Sequence, residues 1–236
     1  MKPKTLANFE LLMLEKTVEL KTNQWVYQLL RTNLLCGKIE PGLPLTIRGL
    51  AEALDVSPMP VREALHRLAC EGAVEVKNNR RVIVPQMTAE KFNELCELRI
   101  LLETHAAAGA APYIRDQDIT QLEAIDARID DAIKKGDSVN ISLINQEFHR
   151  TLYQANPFQI AIPLIESLWL QLGPFSQIAI AKLEESYMVD RHVEAVAALR
   201  QQNTFALRRA IEADIRDGIA SIKSVEGIHG YFEGNR

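Results

Sequence analysis

The stretch "LAEALDVSPMPVREALHRL", residues 50–68, places two prolines inside a run that otherwise has the pattern of one amphipathic helix. A turn at Asp55 ends a first helix, and Ser57 is the predicted N-cap of a second. Pro58 then falls at the first helical position, where its fixed φ suits the helix and its missing N–H costs nothing. Pro60 is still in the first turn, whose amides have no intrahelical acceptor. The prolines therefore start a helix rather than break one.

The segments on either side complete a small domain. An amphipathic helix precedes the pair and is predicted to end at Gly37. Beyond Gly72, residues 73–85 alternate apolar and polar side chains around a central turn signal, which predicts a β-hairpin. Three helices with a helix-turn-helix pair, followed by a hairpin wing, form a winged helix-turn-helix. We therefore assign residues 22–86 to a DNA-binding domain and leave residues 1–21 as an N-terminal extension without an assigned role.

The rest of the chain, residues 87–236, has only helical patterning. Apolar stripes at three- and four-residue spacing recur between stops such as Gly136 and Pro157. The pattern predicts an antiparallel bundle of helices. The predicted fold class is thus mainly α, with a winged helix-turn-helix followed by an all-α bundle that we expect to bind an effector and to dimerise.

Composition and charge narrow the class of protein. Net charge is −4 over 236 residues, but residues 1–86 carry an excess of basic side chains and the remainder an excess of acidic ones. That asymmetry suggests two parts with different partners. No apolar run approaches the ~20 residues that a membrane span needs, so no membrane partner is expected. Three scattered cysteines without a C-x-x-C pair indicate a reducing cytoplasm.

A helix that meets DNA end-on presents free amides and its positive dipole end to phosphate, and its first turns reach base edges. Arg62 is the leading candidate, because a guanidinium binds guanine through two hydrogen bonds. Further arginines precede this helix and lie at the wing tip. The predicted DNA-binding residues are Arg48, Ser57, Met59, Arg62, His66, Arg67, Arg80 and Arg81. The alternative is that these arginines are solvated and pair with neighbouring glutamates.

The segment "PGLPLTIRGLAEALDVSPMPVREALHRLACEGAVEV", residues 41–76, resembles the N-terminal domain of the GntR family of bacterial transcriptional regulators. The resemblance lies in the PG-x-x-L turn, the LA-x-x-L-x-V-S run, the PVREAL-x-RL helix and the EG-x-V entry to the wing. The chain departs from the family at Pro58 and at Arg80, where arginine and glycine are common. The resemblance implies a DNA-binding transcriptional regulator.

Three later segments resemble the FadR-like C-terminal domain of one branch of that family: "ELCELRILLETHAAAGAA", "NQEFHRTLYQAN" and "DRHVEAVAAL". Many members of that branch hold a divalent metal ion through one aspartate and three histidines. The resemblance places the ligands at Asn145, His149, His192 and Asp214, with asparagine replacing the aspartate and Asp214 replacing a histidine. The set implies zinc, nickel or a similar ion.

The resemblance also implies a small organic-acid effector bound at the metal. Arg99 would add a guanidinium to its carboxylate; a structural pairing of Arg99 with Glu103 or Asp214 is the alternative. The predicted protein is a homodimeric regulator, a repressor rather than an activator, that binds a palindromic double-stranded operator. No nucleophile–base pair stands beside the ligands, so no enzyme activity is expected. A metal-sensing regulator and a metal-dependent helical enzyme are the competing hypotheses.

Overall fold

The computed structural model describes residues 11–77, 81–180 and 190–223. Its N-terminal part contains three helices and three short strands. They are α1 (Thr22–Leu35), β1 (Pro44–Leu45), α2 (Ile47–Ala53), α3 (Pro58–Cys70), β2 (Glu75–Val76) and β3 (Val82–Ile83). β3 lies between the other two strands and is antiparallel to each, so Val82 is paired with both Leu45 and Val76. The predicted winged helix-turn-helix is confirmed, and the sequence pattern missed only β1, which is two residues long.

Local chemistry explains the ends of these helices. The Thr46 hydroxyl accepts a hydrogen bond from the amide of Gly49 at 3.1 Å and so caps α2. Ser57 is the N-cap of α3 with an extended backbone, but its side chain makes no capping hydrogen bond. Pro58 occupies the first position of α3 as expected. Gly72 follows α3 with φ of +75°, a left-handed conformation that closes a helix at little cost only for glycine.

The remainder of the described chain is helical. Its helices are α4 (Ala89–Ala110), α5 (Asp116–Lys134), α6 (Ser138–Gln154), α7 (Ala161–Leu172), α8 (Ser176–Ile180), α9 (Arg191–Arg200) and α10 (Thr204–Lys223). α5 packs on α6 and α9 on α10, while α4 contacts α6, α7 and α10. The predicted all-helical bundle is confirmed. None of the helices among the described residues is long and apolar enough to cross a bilayer.

The N-terminal extension is fixed to α1 by one buried asparagine. Asn33 is fully buried, and its side-chain oxygen accepts from the amide of Leu12 at 2.7 Å. Its amide nitrogen donates to the carbonyls of Leu12 and Leu29 at 2.9 and 2.8 Å. The indole of Trp25 also donates to the carbonyl of Leu14 at 3.0 Å. The described part of the extension therefore lies against the first helix of the winged domain and is hydrogen-bonded to it.

The winged domain and the helical bundle meet at the C-terminal end of α1. Ser142 and Gln146 of α6 both donate to the carbonyl of Leu35, at 3.3 and 3.2 Å. Gly173, between α7 and α8, lies so close that an added Cβ would stand 2.5 Å from the carbonyl oxygen of Leu34. Buried side chains of both domains belong to one continuous hydrophobic cluster. The end of α1 is thus part of the wall of the bundle.

Candidate DNA-binding face and metal centre

Four of the eight residues predicted to contact DNA lie on α3 and are exposed to solvent. Arg62 and His66 lie one turn apart on this helix, and Met59 precedes them with 59% of its surface exposed. Neither Arg48 nor Arg62 forms an ion pair within residues 11–77, 81–180 and 190–223. The exposed members of the predicted set are Arg48, Ser57, Met59, Arg62, His66, Arg67 and Arg81. Arg80 lies outside the described residues.

Arg67 differs from the other arginines of α3. Its Nε lies 3.2 Å from Glu71, and its guanidinium lies over the ring of Tyr27 on α1. The pairing with a neighbouring glutamate, the alternative weighed for the whole set, therefore holds for this side chain. It does not hold for Arg62, because the adjacent Glu63 accepts a hydrogen bond from Asn23 at 2.8 Å instead.

Inside the bundle, three of the four predicted metal ligands lie together. His149 on α6 is fully buried, and its Nε2 stands 3.0 Å from Oδ2 of Asp214 on α10. His192, in the first turn of α9, points its Nε2 toward the same carboxylate, 3.9 Å from Oδ1. The fourth predicted ligand, Asn145, lies one helical turn before His149 and lines the cavity that also contains His192 and Asp214.

Each imidazole is oriented by a hydrogen bond at its other nitrogen. Nδ1 of His149 is 3.0 Å from the hydroxyl of Tyr153, and Nδ1 of His192 is 2.8 Å from Oδ1 of Asp126 on α5. A carboxylate or hydroxyl partner of this kind fixes the ring and keeps the opposite nitrogen available to a metal ion. The sequence analysis missed both partners. Tyr153 follows His149 by four residues and so shares its helix face, whereas no local spacing points to Asp126.

Behind Tyr153 lies a fully buried carboxylate, that of Glu103 on α4. It accepts hydrogen bonds from the hydroxyl of Tyr153 at 2.9 Å and from the indole of Trp169 at 2.8 Å, and it is paired with Arg99. Trp169 is a buried core residue, and its indole therefore also has a polar role. Arg99 forms the structural pair that was its alternative prediction, and it still lines the cavity.

The electrostatics of the cluster favour a charged carboxylate beside the imidazoles. Burial by itself would raise the pKa of Asp214, but the hydrogen bond from His149 and the positive charges of His149, His192 and Arg99 outweigh burial and lower the pKa. Burial likewise opposes protonation of His192, yet the hydrogen bond to Asp126 and the nearby carboxylates raise its pKa. These surroundings favour the carboxylate form of Asp214, which is the form that coordinates a cation.

These residues fit a divalent metal ion. The Nε2 of His192 is buried and has no hydrogen-bond partner among the described residues, although it faces Asp214. Two ligand atoms about 2.1 Å from one zinc ion lie no more than about 4.2 Å apart, and the 3.0 and 3.9 Å separations from Asp214 meet that limit. Two imidazoles and a carboxylate are also a donor set that first-row ions accept.

Sequence comparison assigns the chain to a family. Residues 22–84 match "Bacterial regulatory proteins, gntR family", and residues 94–217 match the FCD domain. The protein belongs to the GntR family of bacterial transcriptional regulators and carries an FCD domain as its helical part. The resemblance noted from the motifs is confirmed, and so is the mainly helical fold with an N-terminal winged helix-turn-helix.

The relatives are transcriptional regulators. The HTH-type transcriptional regulator McbR of Escherichia coli K12 is 30% identical over 81% of this chain and 88% of its own length. The gluconate operon transcriptional repressor of Bacillus subtilis is 26% identical over 80% and 79%. Among solved structures, E. coli McbR/YncC aligns with a TM-score of 0.80 at 28% identity, covering 86% of this chain and 98% of that one. These regulators are not enzymes, which confirms the prediction of a non-enzymatic regulator.

Proposed function

We propose that this regulator is a repressor that acts in the cytoplasm and binds a palindromic, double-stranded operator as a homodimer. The observation that carries the proposal is the exposed basic side of α3. Arg62 is exposed and free of ion pairs within the described parts of the chain, which suits a guanidinium that would enter the major groove. Arg48 and Arg81 lie on the flanking elements, which suits them to phosphate contacts.

The DNA-binding proposal is tested by gel shift with the promoter fragment upstream of the protein's own gene. We expect Arg62→Ala to weaken binding by about 1–3 kcal/mol, which is about 5- to 150-fold. Arg208→Ala is the matched control, because Arg208 is an exposed arginine on α10 and its loss changes the net charge equally. Equal retardation by all three proteins would overturn the role given to α3.

The homodimer is proposed on the apolar outer side of α4. Leu98 and Leu101, three residues apart on this helix, are 43% and 67% exposed, and a second copy of the chain would cover them. Two-fold symmetry would then set two α3 helices about one turn of DNA apart. Light scattering during size exclusion tests this: Leu101→Glu is expected to give a monomer, and a dimer of unchanged stability would contradict the assignment.

The effector site is proposed in the cavity of the bundle. His149, His192 and Asp214, with Asn145 as a fourth oxygen donor, would hold a divalent ion such as zinc or nickel. That ion would supply positive charge and open coordination positions for the carboxylate of a small organic acid. Arg99 faces the same cavity, so its guanidinium adds positive charge beside the carboxylate.

Coupling between the cavity and DNA is proposed to pass through α6. One face of this helix carries Asn145 and His149, and the same face carries Ser142 and Gln146, which hydrogen-bond the end of α1. A ligand that shifts α6 therefore shifts the winged domain. Such coupling is typically worth about 1–3 kcal/mol in operator affinity.

Effector binding is tested by thermal shift of the full chain with organic acids, with and without zinc, followed by release of the promoter fragment. A metal sensor is the second candidate function, favoured by the buried Nε2 of His192, which has no hydrogen-bond partner among the described residues. Zinc alone, titrated at fixed DNA, distinguishes the two. If zinc by itself releases the operator, the ion is the signal rather than part of the effector site.

A further inference from the structure

The cavity in the bundle is polar at two ends and apolar between them. It measures about 190 Å³; His192 and Asp214 lie in one part of its wall, and Ser142, Gln146 and Ser176 lie in another part, beside the end of α1. Aliphatic and aromatic side chains from several helices line the middle; Ile129, Ile133, Ile141, Trp169 and Ile215 are among them. A ligand in this cavity therefore lies mostly against hydrocarbon.

Each end of the cavity contains a buried polar atom without a partner. At the metal end it is Nε2 of His192. At the far end it is Oγ of Ser176 on α8, which has no hydrogen-bond partner among the residues described. Ser176 Oγ lies beside Gly37, since a Cβ added there would stand 2.8 Å from it. A buried hydroxyl without a hydrogen bond is costly, so such an atom marks the place of a missing partner.

We propose that the effector is a carboxylic acid with an apolar body of about five carbons and an uncharged polar group at its other end, which hydrogen-bonds Ser176. This rests on the effector role proposed above. A cavity of about 150 Å³ holds a benzene ring, so about 190 Å³ holds such a body together with a carboxylate.

The polar group of the effector near Ser176 is uncharged because the cavity wall around it holds no cationic side chain among the described residues. Ser142, Gln146 and Ser176 supply hydroxyl and amide groups at that end, and the cationic lining residues among those described, Arg99 and Arg191, flank the metal ligands instead. A second carboxylate there would be buried without a counter-charge. Hydroxyl groups along the body would likewise meet hydrocarbon and lose their hydrogen bonds with water.

Four acids of equal chain length test the proposal by calorimetry on the full chain, with one equivalent of zinc and without it. The probes are hexanoate, 6-hydroxyhexanoate, adipate and gluconate. We expect 6-hydroxyhexanoate to bind about tenfold more tightly than hexanoate, the gain of one hydrogen bond. Adipate and gluconate are expected to bind more weakly than either.

Two serine variants test whether Ser176 contacts the terminal hydroxyl of the ligand. Ser176→Ala is expected to abolish the preference for the terminal hydroxyl while leaving hexanoate affinity within about twofold. Ser167→Ala is the control, since this hydroxyl donates to the carbonyl of Glu71 at 2.8 Å and does not line the cavity. Its preference for 6-hydroxyhexanoate should equal that of the wild type.

Several results would overturn the proposal. They are equal affinities for hexanoate and 6-hydroxyhexanoate, a preference that survives in Ser176→Ala, tighter binding of gluconate or adipate, or no binding of any of the four acids. Gel shifts on the same preparation distinguish a wrong ligand class from failure of the proposed function. If gluconate binds and releases the operator, the regulator stands and only the ligand class is wrong. If no promoter fragment is retained, the proposed function itself fails.

Discussion

The guanidinium carbon of Arg67 lies 3.7 Å from the centre of the Tyr27 ring. This contact joins α3, the helix proposed to enter DNA, to α1, the helix that touches the bundle. Glu71 strengthens it, because its carboxylate accepts a hydrogen bond from the Tyr27 hydroxyl at 2.7 Å and from Arg67 at 3.2 Å. The orientation of α3 is therefore fixed by α1 through buried aromatic surface and a shared carboxylate.

The first prediction concerns Tyr27 and alkaline pH. Burial and the hydrogen bond to Glu71 raise the pKa of Tyr27 to about 12 from its usual 10.0. The neutral phenol is thus favoured in the folded state. Its contribution to the free energy of unfolding is fully present below about pH 10 and is lost as pH rises through about 12, at about 1.4 kcal/mol per unit.

Urea unfolding of the wild type and of Tyr27→Phe at about pH 9 and about pH 11 measures that loss, because the variant has no phenol to ionise. The wild type should lose about 1 kcal/mol more than the variant between the two values. Parallel losses in both proteins would contradict the raised pKa of Tyr27.

The second prediction concerns Glu166, which joins the two domains. Its carboxylate oxygens lie 2.8 Å from Nη2 of Arg31 on α1 and 2.8 Å from Nε of Arg150 on α6. Glu166→Gln removes the charge that both guanidinium groups share. We expect a loss of about 1–2 kcal/mol in the free energy of unfolding, reduced from the fully buried value because the side chain is partly exposed.

The exposed pair of Arg128 and Glu147, also 2.8 Å apart, supplies the control for Glu166. Glu147→Gln should change the free energy of unfolding by less than about 0.5 kcal/mol. Equal effects of the two substitutions in urea would mean that the domain-joining carboxylate is no more important than a surface ion pair.

The third prediction concerns the close approach at Gly173. An alanine methyl there would lie 2.5 Å from the Leu34 carbonyl oxygen and 2.8 Å from the Leu35 Cα, and backbone atoms cannot move aside easily. Gly173→Ala should destabilise the protein by about 1–3 kcal/mol. Gly218→Ala in α10 should instead stabilise it by about 0.5–1 kcal/mol, because an added Cβ meets nothing within 4 Å there. Melting temperatures that shift in the same direction would refute the argument.

The fourth prediction concerns the carboxylate that orients His192. Asp126→Asn keeps the shape of the side chain but removes the charge that faces Nδ1 of His192. We expect zinc affinity, measured by competition with a chromophoric chelator, to fall about 10–100-fold. His105→Ala changes an exposed histidine on α4 and should leave zinc affinity unchanged. Unchanged zinc affinity in Asp126→Asn would remove Asp126 from the site.

Much of the winged domain could be predicted from sequence because its signals are local. Pro58, Thr46 and Gly72 each act within one turn of chain, so their meaning does not depend on distant residues. β1 was not predicted because a strand of two residues is too short to show an alternating pattern. It forms because Leu45 pairs with Val82 of β3. The buried Asn33, which fixes the extension, likewise gives no periodic signal.

Residues of the metal centre could be predicted only where helical spacing or the family resemblance pointed to them. His149 and Tyr153 share a helix face, so the second could have been inferred from the first. Asp126 and Glu103 could not, since they come from α5 and α4 and meet the site only after the bundle has packed. Ser176 was hidden for the same reason: its position beside the cavity depends on contact between α8 and the end of α1.

The end of α1 limits how this regulator can be re-engineered. Leu34, Leu35 and Gly37 belong by sequence to the winged domain, yet their backbone completes the wall of the bundle. A chimera that splices this bundle onto a foreign operator-reading module at the inter-domain linker would lose that wall. A foreign module would therefore have to carry the equivalents of Leu34, Leu35 and Gly37 at the end of its own first helix.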